Sequence, residues 1–414
     1  MAEPRRICDA AMVQPPPESD LAIVGAGVAG CSLVTALRWR GWSGSITLLE
    51  SGRGPGGRAA TRRSRIAADL RIDHGAPLFN LSTDTGVAAL RPLLEALQEA
   101  GWIRPCTAAI HSLDAQGQIG SAPDEGFHQG ELWQGCGGMD QLATGLLALG
   151  AAQAGDTQLR CSTVVRHLDP SPPGQAPGWT LRAGDGTGLV RSRWLVLSGT
   201  LLTHPRSQQL FGWDGVPLQR AAAARPDPQL DQATAALARS TSSASSHLLL
   251  QLPAALASSW QEQPWRVLQF NPEAQQRWGL RRVTQQRQAD GSVAVVAESS
   301  SAFADRHRDV YGSRSSAAQL LGAAPDPEAE AAVIEALNDA LNDALGLPTA
   351  PADRQLMRWG AAFPQPPGLP AALQLCPSSH IGFCGDYVAS AGFGRIEGAL
   401  LSAHALAEQM LPLL

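Results

Sequence analysis

The chain has 414 residues, 44% of them hydrophobic and 17% charged, enough apolar material for one or two intertwined domains with a large core. Its 37 acidic residues outnumber 32 basic ones, and the net charge of −5 argues against a nucleic-acid binder, whose affinity needs a clustered basic face. No apolar run reaches membrane-spanning length.

Residues 1–19 mix two arginines with acidic residues and the run Gln14-Pro15-Pro16-Pro17, without the apolar stretch of a signal peptide, and are expected to be a disordered leader. Leu21–Val24 is a short apolar run, the pattern of a buried parallel strand. A glycine turn follows, then helical spacing of Leu33, Val34 and Leu37 within 31–40. Ile46–Leu49 is a second strand ending at Glu50, so the segment reads as a β-α-β unit. Beyond the Gly/Arg-rich loop 51–65, helices are expected over 91–100 and 139–148, the latter after the loop 134–138. Thr163–Val165 and Trp194–Leu197 read as strands, with turn-rich 170–177 between them implying a hairpin or meander. Residues 201–350 alternate strand-like runs (247–252, 266–270, 293–297) with Ser-, Ala- and Gln-rich stretches, and 327–345 reads as helix. The tail offers a strand at 381–384, the pair Gly385-Asp386 and a long helix from about 397 to 411.

The seven cysteines (Cys8, Cys31, Cys106, Cys136, Cys161, Cys376, Cys384) are scattered and form no CxxC pair. Neither a disulfide framework nor a metal site is expected, and a reducing, cytoplasmic setting follows. The basic residues are all arginine, so no chemistry that requires a lysine is available.

Gly25-Ala26-Gly27-Val28-Ala29-Gly30 is a GxGxxG set between a strand and a helix, with Glu50 ending the next strand. Gly25 permits the tight turn, Gly27 lets the backbone approach a pyrophosphate, and Gly30 allows close helix–strand packing. The helix start supplies free N–H groups to phosphates, and Glu50 can accept hydrogen bonds from ribose hydroxyls. The motif alone leaves NAD and FAD open.

Glu50 continues into Ser51-Gly52-Arg53-Gly54-Pro55-Gly56-Gly57-Arg58, and here the chain resembles the amine-oxidase-like flavoprotein superfamily. The tail resembles it too, through Gly385-Asp386 after a strand and Glu397-Gly398-Ala399 opening the last helix. The resemblance implies non-covalently bound FAD. Gly25, Gly27, Ala29, Gly30, Glu50, Ser51, Gly57 and Arg58 would serve the dinucleotide, Val165 the adenine through its backbone, and Gly385, Asp386 and Ile396 the ribityl chain and flavin. It also implies a fold: α/β, with a Rossmann-type FAD domain (glutathione-reductase-like) and an interleaved α+β substrate domain. The expected division gives 20–80, 131–200 and 355–414 to the FAD domain and 81–130 and 201–354 to the substrate domain.

Within the superfamily the chain resembles renalase and its bacterial relatives, through Gly57-Arg58, Asp73-His74-Gly75-Ala76 with Phe79, Gly137-Gly138-Met139, Arg358-Trp359 and the tail motifs. The match covers roughly the first 200 and last 60 residues. It implies a hydride taken from a small electron-rich donor, such as an isomeric form of NAD(P)H, and passed to O2 or another acceptor. His74 and Arg395 are the side chains nominated for the chemistry. The residue types tell against amine oxidases: there is no lysine to hold a water at the flavin, only Tyr311 and Tyr387 to form an aromatic box, and Arg395 where a tyrosine is usual. An amine oxidase or desaturase of the same superfamily is the alternative enzyme, and an FAD-binding scaffold the alternative outside catalysis.

Overall fold

Two sheets organise the molecule, and each begins from a different sequence pattern. The run Glu18–Val24 is buried at Leu21, Ala22 and Ile23, and pairs in parallel with Ile46–Leu49 on one side and Gly188–Leu197 on the other. Such doubly buried strands have no polar face, which is why they read as continuous apolar runs. The computed structural model describes residues 15–63, 70–82, 84–122, 128–172, 174–315, 319, 322, 324–349 and 353–414. Most of the expected leader, 1–14, lies outside them. The first strand starts at Glu18, before the expected end of the leader, because Arg191 donates its backbone N–H to the Pro17 carbonyl and Asp20 accepts from Ser45.

The first sheet has eight strands, ordered Thr157–Arg160, Ile46–Leu49, Glu18–Val24, Gly188–Leu197, Trp179–Arg182 and His167–Pro170. Ile381–Phe383 pairs in parallel with the last three residues of Gly188–Leu197, and with Leu375–Cys376 on its other side. The turn-rich 170–177 joins the expected antiparallel hairpin. Thr163–Val165 is not a strand. The strand lies upstream at Thr157–Arg160; Ser162 then takes a left-handed turn (φ 50°), and Ser162 and Thr163 donate their N–H groups to Gly52 and Glu50 carbonyls instead of to a neighbouring strand.

Helices Val28–Trp39, Asp84–Glu99, Asp140–Ala151 and the terminal helix Ile396–Met410 cover one face of this sheet through Leu33, Leu37, Leu94, Leu146, Leu400 and their neighbours. Helices Pro217–Ala224 and Pro228–Arg239 cover the other, through Leu218, Leu230 and Leu237 against Leu197 and Phe383. Leu37 is fully buried, so Leu37→Ala would cost about 2–5 kcal/mol.

The second sheet is seven-stranded, ordered Asp353–Gln365, Thr241–Leu252, Val293–Ser299, Leu280–Arg287, Val267–Phe270, Ile110–Leu113 and Ile119–Ser121. All its pairings are antiparallel except Val267–Phe270 with Ile110–Leu113. Its outer core holds Trp260, Trp265, Phe270 and the apolar side of helix Pro327–Leu345. That helix matches its expected bounds: Asp326 accepts from the N–H groups of Glu328 and Ala329, Pro327 opens the first turn, and Gly346 closes it at φ 61°.

Three segments pack otherwise than the expected division places them. Asp84–Glu99 and 217–239 join the first sheet's cores, because their apolar stripes match its two faces. Asp353–Gln365 is an edge strand of the second sheet, paired along Thr241–Leu252. No helix among the described residues is long and apolar enough to cross a membrane.

Candidate functional site

A cavity of about 770 Å³ runs from the glycine turn after the first strand, past the start of the terminal helix, to the underside of the second sheet. Its glycine-turn end is built by close backbone approach. Gly25 sits at φ 103°, and a side chain there would meet Ser198 Oγ at 2.5 Å; that hydroxyl instead donates to the Val24 and Gly25 carbonyls. A Cβ on Gly57 (φ 56°) would lie 3.1 Å from Gly27 Cα, and Gly27 bridges to Gly56. Helix Val28–Trp39 starts at Gly27 with no side-chain cap, so its first N–H groups face the cavity, where Gly27, Val28 and Ala29 form the wall. Glu50 accepts from the N–H groups of Ala26 (2.8 Å) and Gly52 (2.6 Å), which fixes its carboxylate at the strand end.

In the middle of the cavity Arg58 donates to Asp386 (2.5 Å) and to the Ala362 carbonyl (2.8 Å). Its charge is therefore matched by a buried carboxylate. Gly75 passes under this loop: a Cβ there would meet the Arg58 carbonyl at 1.9 Å, and Ala76 N–H donates to the same oxygen at 2.9 Å. Arg395, the residue before the terminal helix, donates to Glu397 (2.8 Å). Glu397 is fully buried and also accepts from the Ser82 hydroxyl (3.0 Å).

The far wall belongs to the second sheet and holds a charged cluster. Glu298 is buried and accepts from Arg282 at 2.5 Å; Arg281 Nη1 lies 3.5 Å from its other oxygen. Burial alone would raise the Glu298 carboxyl, but Arg282, His247 and Arg281 outweigh it and hold it below the usual range. Arg281 makes no side-chain hydrogen bond among the described residues and lies over the Phe363 ring at 3.8 Å. His247 Nδ1 faces the His74 carbonyl (2.7 Å) and its Nε2 faces Ser245 Oγ (3.0 Å). A carbonyl only accepts, so Nδ1 carries the proton and Nε2 accepts from the serine. Burial, then the Arg282 and Arg281 charges, lower this imidazole's pKa against the pull of Glu298.

Of the expected site residues, Gly25, Gly27, Ala29, Glu50, Ser51, Gly57, Arg58, Val165, Gly385, Asp386, Arg395 and Ile396 line this one cavity. Gly30 does not; it packs the helix, since a Cβ there would meet the Gly25 carbonyl at 2.1 Å. His74 is also not among the lining residues. Its ring is buried, stacked on Trp359 (centroids 5.4 Å apart, 12° between planes), and its pKa is pushed down to about 3 by burial and by the Arg62 and His247 charges. It contributes its carbonyl, which accepts from His247 and from Trp359 Nε1 at 3.2 Å. His247, Arg281, Arg282 and Glu298 were not signalled by any motif: they stand on three strands separated by turns and helices. Neither Tyr311 nor Tyr387 lines the cavity; Tyr387 is buried and donates to the Leu197 carbonyl.

Comparison with known proteins adds to this geometry. A family model described as an NAD(P)-binding Rossmann-like domain matches residues 23–95. No curated protein matches the sequence. Among solved structures, the chain is similar to a putative protoporphyrinogen oxidase from Exiguobacterium sp. 255-15 (TM-score 0.60, 13% identity, 96% of this chain and 99% of that one). It is similar also to a putrescine oxidase bound to putrescine (TM-score 0.58, 15% identity, 96% of this chain and 100% of that one). A cyclohexylamine oxidase from Brevibacterium oxydans IH-35A matches likewise (TM-score 0.58, 17% identity, 95% of this chain and 100% of that one). The chain has the fold of these oxidases.

Proposed function

We propose that the protein is an oxidoreductase with non-covalently bound FAD, acting on a small, electron-rich, anionic hydride donor, with isomeric forms of NAD(P)H the leading class. The observation that carries the reading is the single cavity that joins the GxGxxG turn, Glu50, Asp386 and the start of the terminal helix to a charged wall on the second sheet. The residues present fit the dinucleotide. Glycines clear the approach at Gly27 and Gly57, uncapped N–H groups at Val28 and Ala29 suit a pyrophosphate, and Glu50 stands at the strand end for a ribose. Asp386 presents a buried carboxylate suited to a ribityl hydroxyl. The helix beginning at Ile396 turns its positive end to the cavity. A bound flavin would supply a hydride acceptor at N5 and a route for electrons to O2 or another acceptor.

The chain's own residues bind and orient. The two arginines and one carboxylate of the far wall leave a positive balance next to neutral His247, which favours an anionic group and disfavours an ammonium. That role falls to Arg281 rather than to Arg395, whose charge is matched by Glu397. Trp359 and Phe363 give flat apolar wall for a ring. No lining group is required to take a proton if the donor surrenders a hydride directly; the loop Ser390–Gly394 has no cysteine or histidine to anchor the cofactor covalently, and the lining His247 has both ring nitrogens engaged. The six described cysteines are free, which supports a reducing, cytoplasmic setting.

The test is to denature the purified protein and identify the released chromophore. The reading expects FAD in the supernatant, and peroxide or reduced acceptor when the native protein meets an isomeric dihydronicotinamide. Yellow colour retained on the precipitated chain would contradict non-covalent binding.

A further inference from the structure

A second cavity of about 210 Å³ opens between the second sheet and the short strands Arg71–Asp73, Ile103–Pro105 and Glu131–Gly135, on the other side of Pro77 and Leu78, which line both cavities. Four arginines line it, Arg71, Arg104, Arg266 and Arg287, and one carboxylate, Asp73. Asp73 feels the Arg71 charge but is engaged elsewhere: its Oδ1 accepts from Thr61 Oγ1 (2.6 Å) and from the Met139 N–H (2.8 Å). None of the four guanidinium groups forms an ion pair among the described residues.

Their hydrogen bonds go to neutral oxygens. Arg71 donates to the Gly137 carbonyl (2.7 Å), Arg266 to that of Gln285 (3.0 Å) and Arg287 to that of Gln261 (2.6 Å). With its amide oxygen turned to Arg104, Gln134 accepts from that side chain at 2.8 and 3.1 Å. Burial and the charges of Arg287 and Arg104 all weaken the hold of Arg266 on its proton, so these groups repel one another across the opening. The chain as a whole is acidic, with carboxylates to spare. Around the main cavity Arg58, Arg282 and Arg395 each found one.

The wall is also held in place. Gln286 accepts from the Asp73 N–H (2.8 Å) and donates to its carbonyl (2.9 Å). Gln288 does the same for Arg71, at 3.1 and 3.0 Å. Two glutamine side chains thus fasten the short strand Arg71–Asp73 to the second sheet and keep the arginines from spreading apart. Guanidinium forks match phosphate oxygens in pairs, and the space is several times the roughly 30 Å³ of one liquid water.

We propose that this cavity is a binding site for a phosphate-bearing anion, gripped by Arg104, Arg266 and Arg287 with Arg71 at its edge. The phosphate group is the shared chemistry; it comes either as a free ion or on a nucleotide whose remainder extends toward Pro77 and Leu78. The site lies outside the glycine turn and does not depend on the flavin reading.

The experiment is calorimetric titration of the purified protein, saturated with FAD, with inorganic pyrophosphate at fixed ionic strength, which holds general screening constant. The expected result is saturable binding of one anion per chain. It should weaken about tenfold in Arg287→Gln and about a hundredfold in Arg104→Gln/Arg287→Gln, each lost charge-assisted bond accounting for one factor. The charge-matched control Arg182→Gln/Arg191→Gln, at ion pairs with Asp169 and Glu18, should bind as wild type. ADP is the second probe: binding much tighter than pyrophosphate assigns the phosphate to a nucleotide, and equal binding to a free ion. Absence of saturable binding, binding undiminished in a folded double variant, or equal loss in the control would overturn the proposal. Retention of FAD by the double variant separates this outcome from failure of the flavin site.

Discussion

His247 Nδ1 lies 2.7 Å from the carbonyl oxygen of His74, and that bond joins the second sheet to the loop carrying Gly75 under Arg58. His74 therefore acts through its backbone and its stack, while His247 presents the ring that reaches the cavity. His247→Ala removes a donor from a buried carbonyl and should lower the unfolding free energy by about 1–3 kcal/mol. His74→Phe keeps the stack on Trp359 and should leave the rate of flavin reduction nearly unchanged. Denaturant melts and single-turnover reduction measure the two; a large rate loss in His74→Phe would restore the histidine to the chemistry.

Removing one carboxylate should be costly at the far wall. Glu298→Ala leaves Arg281 and Arg282 facing each other without their counter-charge, a loss of about 3–5 kcal/mol for a buried partner. Urea unfolding checks it, and an unchanged midpoint would mean that solvent already screens the pair.

Arg281 lines the cavity and is the charge proposed to face the substrate. In Arg281→Gln, the KM for an anionic donor should rise about tenfold with kcat nearly unchanged, as for loss of one charge-assisted contact made equally before and during reaction. A neutral donor should be unaffected. Equal losses for both donors would assign Arg281 to the architecture of the sheet.

Acid should destabilise the fold through its buried histidines. Burial, with the charges of Arg62 and His247, holds His74 down to about 3, and burial with Arg40 holds His404 down to about 4. In the unfolded chain both return to the ordinary 6.5. Between those values the unfolded state binds more protons, so stability is full above pH 6.5 and falls as pH drops toward the folded values. The slope is about 1.4 kcal/mol per pH unit for each histidine. Urea unfolding across the window should show this slope, and His404→Asn should reduce it by one proton.

The glycine-turn end of the cavity was legible because each of its parts is local. Gly25 to Gly30, Glu50 and Gly57 fall within one β-α-β unit and its exit loop, and the chemistry of each glycine is written in its own backbone. The helix at 327–345 was legible through Asp326-Pro327 and Gly346. The same start signal at Asp227-Pro228 and Asn271-Pro272 marks two further helices, each capped by its Asp or Asn side chain, that pattern reading passed over. The far wall was not legible. Leu280–Arg287 has no clean alternation because its polar side chains are used inside: Arg282 on Glu298, Gln286 and Gln288 nearby on the strand Arg71–Asp73. The burial of the His74 ring was not legible for a similar reason, since a motif names a residue without saying whether its ring or its carbonyl is turned to the site.

Gly57 offers a test of the cofactor cradle without touching charge. Gly57→Val places a side chain 3.1 Å or less from Gly27 Cα at a positive φ, and the folded protein should purify colourless. A yellow Gly57→Val protein would show that the dinucleotide lies elsewhere.

The proposed hydride transfer is measured most directly by anaerobic stopped-flow absorbance of the purified protein, mixed in turn with isomeric dihydronicotinamides, ordinary NADPH and simple amines. The expected result is rapid bleaching of the flavin band by an isomeric dihydronicotinamide, slowed in Arg281→Gln at low donor concentration, and recovery of colour when air is readmitted. Bleaching by amines alone, or a band that no hydride donor changes, would contradict it.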